Sequence, residues 1–251
     1  MSGHSKWSTI KRKKGAADAK RGAEFTRLSR EVTLAAREGG GDPDTNFRLR
    51  LAIDKARAAN MPKDNIERSI KKGTGEDKEG VAFEEITYEG YAPNGVAVVL
   101  ECMTENRNRT VAEVRHGLDK YGGSLGENGS VMWQFDRISY FTFSEKKLDF
   151  DSAFELAIEA GADDVSVEDG VVEIVGPVTS FKQISDALKA AKVDVEDAGL
   201  RMEPKQEMAL DLSDTLQVLK VIENLEELDD VQNVYHNMTI SDEAMAALEA
   251  E

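Results

Sequence analysis

Lys6, Lys11, Arg12, Lys13, Lys14, Lys20 and Arg21 place seven cations in the first twenty-one positions, with Trp7 among them. Ammonium and guanidinium groups at this density neutralise phosphates and release their counterions, which gives affinity for a polyanion without reading its sequence. An indole in the same stretch can stack on a base or anchor the segment against the body. The excess continues: residues 1–72 hold 18 basic and 9 acidic side chains, a net of +9. The remaining 179 residues hold 14 basic and 39 acidic, a net of −25, which leaves −16 for the 251-residue chain. One end therefore suits polyphosphate, and the body repels it.

Further cations extend this pattern into the next elements. At about 100° per residue, Lys20, Arg27, Arg30 and Arg37 fall opposite an apolar line of Phe25, Leu28, Val32 and Ala35. Arg48, Arg50, Arg57, Lys63, Arg68, Lys71 and Lys72 lie on two helices joined by a short turn. That arrangement reads either as a helix-turn-helix or as a plain bundle. Asn106-Arg107-Asn108-Arg109 follows a strand and precedes a helix. Its forked donors can hold a phosphate or a base edge, and Asn108 can equally cap the helix. Gly122-Gly123-Ser124-Leu125-Gly126 is not followed by the Gly-Lys-Ser/Thr of a Walker loop and reads as tight turns.

Catalytic chemistry has no comparable signal. His4, His116 and His236 lack metal-ligand spacing, Cys102 has no local activating partner, and the carboxylates form no acid–base motif. The expectation is a non-enzymatic protein with no cofactor and no metal. The longest aliphatic stretch, Val96 to Leu100, is too short to cross a bilayer, and no apolar region follows the basic start as in a secretory signal. With a single cysteine as well, a cytoplasmic protein without membrane association is expected, a monomer being the favoured state.

The elements that must position these residues follow from periodicity. A helix is expected over 18–38, ended by Gly39-Gly40-Gly41. A second runs from an Asn46 cap to about Ala59, and a third from Pro62 to Lys71-Lys72-Gly73. After a Gly73–Gly80 linker, strands are expected at 84–90, 96–103, 131–136 and 139–144, with a helix over 109–121. Residues 139–203 then read strand, helix (151–160), strand (164–168), strand (171–175), helix (179–191), strand (194–203), with Asp169-Gly170 as a hairpin turn. That is a ferredoxin-like βαββαβ unit. A strand over 206–211, a helix over 214–227, a strand over 231–238 and a helical or unstructured tail complete the chain. The fold expected is α+β and multidomain. It comprises a basic arm and three-helix bundle (1–73), a discontinuous α+β domain (81–136 and 205–240), and a second ferredoxin-like domain (137–204) inserted into it.

Met1-Ser2-Gly3-His4-Ser5-Lys6-Trp7, Asp18-Ala19-Lys20-Arg21-Gly22, Phe25-Thr26-Arg27-Leu28 and Asn60-Met61-Pro62-Lys63-Asp64-Asn65-Ile66 form long specific motifs, joined by Tyr88-Glu89-Gly90-Tyr91 and Asn106 to Thr110. Through them the sequence resembles the YebC family, bacterial proteins named as probable transcriptional regulators together with mitochondrial translational activators. Ala23 stands where many relatives have lysine. The resemblance implies three domains with the third inserted in the second. It also implies one of two roles: gripping duplex DNA to regulate transcription, or docking on ribosomal RNA to assist translation at difficult peptide sequences.

Overall fold

The computed structural model describes residues 18–75 and 83–249. The basic arm expected over residues 1–17 and most of the linker lie outside the described residues. Helices α1 (Asp18–Gly39), α2 (Phe47–Ala58) and α3 (Lys63–Thr74) form the amino-terminal bundle. Its core is Val32, Ala35, Ala36, Leu49, Ala52, Ile53, Ala56, Met61 and Ile66. Asn46 does more than cap. Its Oδ1 accepts from the Leu49 N–H (3.0 Å), while its Nδ2 donates to the carbonyls of Ala35 (2.7 Å) and Gly40 (2.8 Å). One buried amide thus ties the end of α1 to the start of α2.

The third helix does not stop at Gly73. It continues to Thr74, and Gly75, at φ 78°, supplies the left-handed cap. Gly73 is needed inside the helix, because a Cβ there would lie 2.3 Å from the Thr33 carbonyl oxygen and 2.7 Å from the Ala36 Cβ. Gly73→Ala is expected to force α1 and α3 apart and to destabilise the protein by roughly 1–3 kcal/mol, measurable by urea denaturation.

Past the linker the chain forms β1 (Glu84–Tyr91), β2 (Ala97–Thr104), α4 (Arg107–Asp119), β3 (Ser124–Leu125), β4 (Phe135–Ser144), α5 (Phe150–Glu159), β5 (Asp164–Glu168) and β6 (Val171–Pro177). It continues with α6 (Phe181–Ala190), β7 (Asp197–Pro204), α7 (Leu212–Glu226), β8 (Val231–His236) and α8 (Asp242–Glu249). Two compact units result: Phe135–Lys205, and the bundle together with the chain on either side of that segment.

In the larger unit the antiparallel sheet has the order β3-β1-β2-β8. Val98, Leu100 and Cys102 of β2 pack with Val114 and Leu118 of α4, Val218 and Ile222 of α7, and Ala244 and Leu248 of α8. Burial pushes the Cys102 thiol up to about 12, so it is protonated core material at neutral pH. The carboxy-terminal stretch is therefore a packed helix.

Two expected strands are absent here. Residues 131–136 do not form a strand of this sheet. The Glu89 carboxylate accepts the N–H groups of Gly129 (2.6 Å), Val131 (2.7 Å) and Met132 (2.7 Å), so that backbone bonds to a side chain instead of a ladder. A short 3-10 turn follows, and Phe135 opens one continuous strand, β4. Residues 206–211 make only a single parallel bridge, Met208 to Met238, before Asp211 caps α7 by accepting from the Asp214 N–H.

The smaller unit has the order β5-β6-β4-β7, all antiparallel, with one helix after its first strand and one after its third, a ferredoxin-like arrangement. Asp169 (φ 52°) and Gly170 (φ 77°) make its two-residue hairpin. Phe141 and Phe143 of β4, paired with Ile174 and Val172 of β6, lie on one face with Phe181 of α6, whose ring centroid is 4.5 Å from that of Phe141. On the other face Arg201 donates to Glu173 (2.7 Å) and Glu203 (2.8 Å) and lies over the Tyr140 ring.

Candidate nucleic-acid interface

The cations separate into two groups once the backbone is in place. Lys6, Trp7, Lys11, Arg12, Lys13 and Lys14 lie outside the described residues. Lys20 and Arg21 occupy the first turn of α1. Further along the basic face expected on α1, Arg37 is exposed, whereas Arg27 and Arg30 are drawn into contacts. Arg27 donates to the Glu226 carbonyl, and Arg30 donates to the Asp229 carbonyl (2.5 Å) and to the Asp230 carboxylate (3.2 Å). These two arginines hold the bundle to the turn between α7 and β8.

That turn centres on Asp230, only 1 % exposed. Arg109 donates to both of its oxygens (3.0 and 2.8 Å), and the hydroxyls of Thr104 (3.0 Å) and Thr110 (2.8 Å) add two more bonds. Burial opposes ionisation of Asp230, but these donors outweigh it and hold the carboxyl below the usual aspartate value. Arg109 is correspondingly held above the ordinary arginine value by its bond to Asp230. The helix cap is Asn106, whose Oδ1 accepts from the Arg109 N–H (3.2 Å), so Arg107 and Arg109 belong to the first turn of α4 and not to a loop. Arg107 stays exposed, 3.8 Å from Glu84.

Other arginines in the bundle are also engaged. Arg48 pairs with Glu38 (2.5 Å) and with Glu85, and Arg50 donates to the carbonyls of Pro43 (3.0 Å) and Asp44 (3.1 Å), closing the turn before α2. Lys72 lies 5.6 Å and Arg30 5.5 Å from the centroid of the Phe83 ring.

Among the described side chains, the exposed cations of the bundle are Arg37 near the end of α1, which donates to the Phe83 carbonyl (3.3 Å), Arg57 near the end of α2, and Lys63, Arg68 and Lys71 on the outer face of α3. Lys63 is 3.4 Å from Glu67, and Asp64 shares the same face, so three cations alternate with two anions. Such a face can meet a phosphate backbone but offers little for a base edge. The packing of the bundle agrees. Helix α1 lies along both α2 and α3, which touch each other far less, unlike the closely paired helices of a helix-turn-helix reader.

Two features are non-local and have no counterpart among the sequence expectations. Asp230 carries no signal in its own neighbourhood. Glu89 stands in Tyr88-Glu89-Gly90-Tyr91, but its role depends on a loop forty residues away. By fixing that loop it carries Trp133, which is 67 % exposed and donates from Nε1 to the Ser130 carbonyl (3.1 Å). Burial works against the charge on Glu89, and the three backbone N–H groups overcome it, setting the carboxyl below its usual range. Among the described residues, no three His, Cys, Asp or Glu side chains gather as a metal would require. His236 is buried, and burial pushes it down to about 4, so it is neutral at physiological pH.

Comparison with known proteins accords with this arrangement along almost the whole chain. Residues 5–76 match the TACO1/YebC protein N-terminal domain, and residues 83–238 match the TACO1/YebC second and third domain. A probable transcriptional regulatory protein of Geobacter sulfurreducens is 55% identical over 248 residues, covering 99% of this chain and 100% of that protein. One from Syntrophus aciditrophicus is 52% identical over 250 residues, covering both chains fully. The crystal structure of a conserved hypothetical protein from Aquifex aeolicus superposes with a TM-score of 0.82 at 43% identity, over 90% of this chain and 93% of that one. A cationic bundle joined to two α+β units, with both halves of the sequence matched in order, makes this chain a member of the TACO1/YebC family.

Proposed function

We propose that the protein is a nucleic-acid-binding, non-catalytic regulator of gene expression that docks on phosphates through its amino-terminal bundle and arm. The observation that carries this reading is the division of charge. The cationic run of residues 1–72 continues onto exposed Arg57, Lys63, Arg68 and Lys71, and the rest of the chain is anionic. DNA is the target that the relatives' names point to, since those proteins are called probable transcriptional regulators.

A second target, structured RNA of the ribosome, is favoured by the bundle itself. The mixed outer face of α3 and the weak pairing of α2 with α3 suit backbone docking better than base reading. Either target belongs in the cytoplasm of a bacterium. Among the described residues no helix is long and apolar enough to cross a membrane.

Co-sedimentation with ribosomes beside a mobility shift on duplex DNA at physiological salt separates the two. Pelleting without a DNA shift removes the transcriptional reading, and the reverse removes the translational one. In whichever assay binding occurs, Arg68→Ala with Lys71→Ala is expected to weaken it uniformly across sequences. The slope of log affinity against log salt should become shallower by about 1 for each phosphate that is no longer neutralised. An unchanged slope would exclude α3 from the interface.

A further inference from the structure

Helix α5 of the smaller unit is turned inside out. Its core-facing residues are the small Ala153 and Ala157, both fully buried, while Phe150 (37 %), Phe154 (42 %) and Ile158 (41 %) are exposed. A surface helix ordinarily sends its largest apolar side chains inward. Scattered exposed apolar residues require no explanation. These three recur at four-residue spacing on successive turns, and the rings of Phe150 and Phe154 are 6.0 Å apart between centroids, so they form one stripe.

The stripe has a charged border of one sign. Each apolar residue is followed by an exposed carboxylate: Asp151, Glu155 and Glu159. No lysine, arginine or histidine occurs in the helix. Beyond that acidic row lies an open groove of about 530 Å³ between α5 and α6, lined by Ser152, Leu156, Glu159 and Gln183.

We propose that this face is a docking surface for a basic amphipathic segment of a partner protein, with apolar anchors on the Phe150–Phe154–Ile158 stripe and Lys or Arg against the acidic row. Charge complementarity selects the occupant. Nucleic acid is repelled by the three carboxylates. A second copy laid on the same face would set one acidic row against another. A cationic helix satisfies both the stripe and its border. The inference is independent of the nucleic-acid reading, because it rests on another unit and on the opposite charge.

The test uses the full chain and a synthetic helical peptide of leucine and lysine, with leucine at positions i, i+3, i+4 and i+7. Binding is followed by fluorescence anisotropy in about 150 mM salt. The wild-type chain is expected to bind this peptide and to ignore a version with glutamate in place of lysine. Phe150→Ser with Phe154→Ser should weaken binding by about tenfold or more, and Glu155→Lys with Glu159→Lys should do the same, with thermal unfolding unchanged in both. Equal affinity for wild type and the Phe variant would mean that charge alone retains the peptide elsewhere, and would overturn the proposal. So would the absence of binding by the wild-type chain. A concentration-dependent dimer that Phe154→Ser abolishes in sedimentation equilibrium would assign the face to a second copy and equally refute the assignment.

Discussion

Asp230→Ala is expected to lower the free energy of unfolding by roughly 3–5 kcal/mol, the largest single-residue effect the structure implies. The carboxylate is buried and receives Arg109, Arg30, Thr104 and Thr110 together. Truncation removes every one of those acceptor sites at once. The Thr104 hydroxyl also accepts from the Asn106 N–H (2.8 Å), so the start of α4 loosens with it. Because Arg30 belongs to α1, the same change weakens the hold of the bundle on the α7–β8 turn.

The pH dependence has a definite sign. The folded-state carboxyl is held below its ordinary value, so its contribution is fully present above the usual aspartate pKa and is lost as pH falls through the lowered one. Urea denaturation of wild type and Asp230→Ala should therefore show a gap in stability that is widest near neutrality and closes in strong acid. A gap that stayed constant with pH would mean that the aspartate acts through packing and not through its charge. Arg109→Lys, which keeps the charge but replaces the Nη2 that donates to both carboxylate oxygens by a more strongly hydrated ammonium, should retain only part of the stability.

The largest effect on binding belongs to the arm. Replacing Lys11, Arg12, Lys13, Lys14, Lys20 and Arg21 by glutamine should leave the folded core intact. It should make the slope of log affinity against log salt shallower by up to roughly 5, if each cation neutralises one phosphate. Replacing Lys182, Lys189 and Lys192 of the smaller unit by glutamine should leave the slope nearly unaltered. Arg27 and Arg30 are unsuitable for such a series. Their guanidinium groups are spent on the α7–β8 turn, so their loss would be read through stability.

Periodicity and local chemistry make much of this fold legible in the sequence. The three- and four-residue spacing of Leu28, Val32 and Ala35 in α1, of Leu49, Ile53 and Ala56 in α2, and of Ile66 and Ile70 in α3 marks the faces that form the bundle core, and Asn46 caps α2 as its side chain and position imply. Asp169-Gly170 forms its hairpin because both positions take positive φ. The misreadings share a cause, a side chain acting far along the chain. Residues 131–136 carry the composition of a strand, yet Glu89 takes the N–H groups that a ladder would use. Gly73 looks like a helix stop and is a point of close approach to α1. Arg27 and Arg30 on the outer side of α1 look solvated by helical geometry alone, and only the α7–β8 turn, some two hundred residues on, reveals otherwise. Composition does not show that the core side of α5 is made of alanines while Phe150, Phe154 and Ile158 stay exposed.

Cross-linking the full chain to ribosomes and to duplex DNA, followed by mapping of the joined residues, tests most directly whether the cationic end meets phosphate. Attachment concentrated at Lys11 to Arg21 and at Lys63, Arg68 and Lys71, and diminishing as salt rises, is the predicted outcome. Attachment confined to residues 84–249, or no attachment to either polymer, would contradict it.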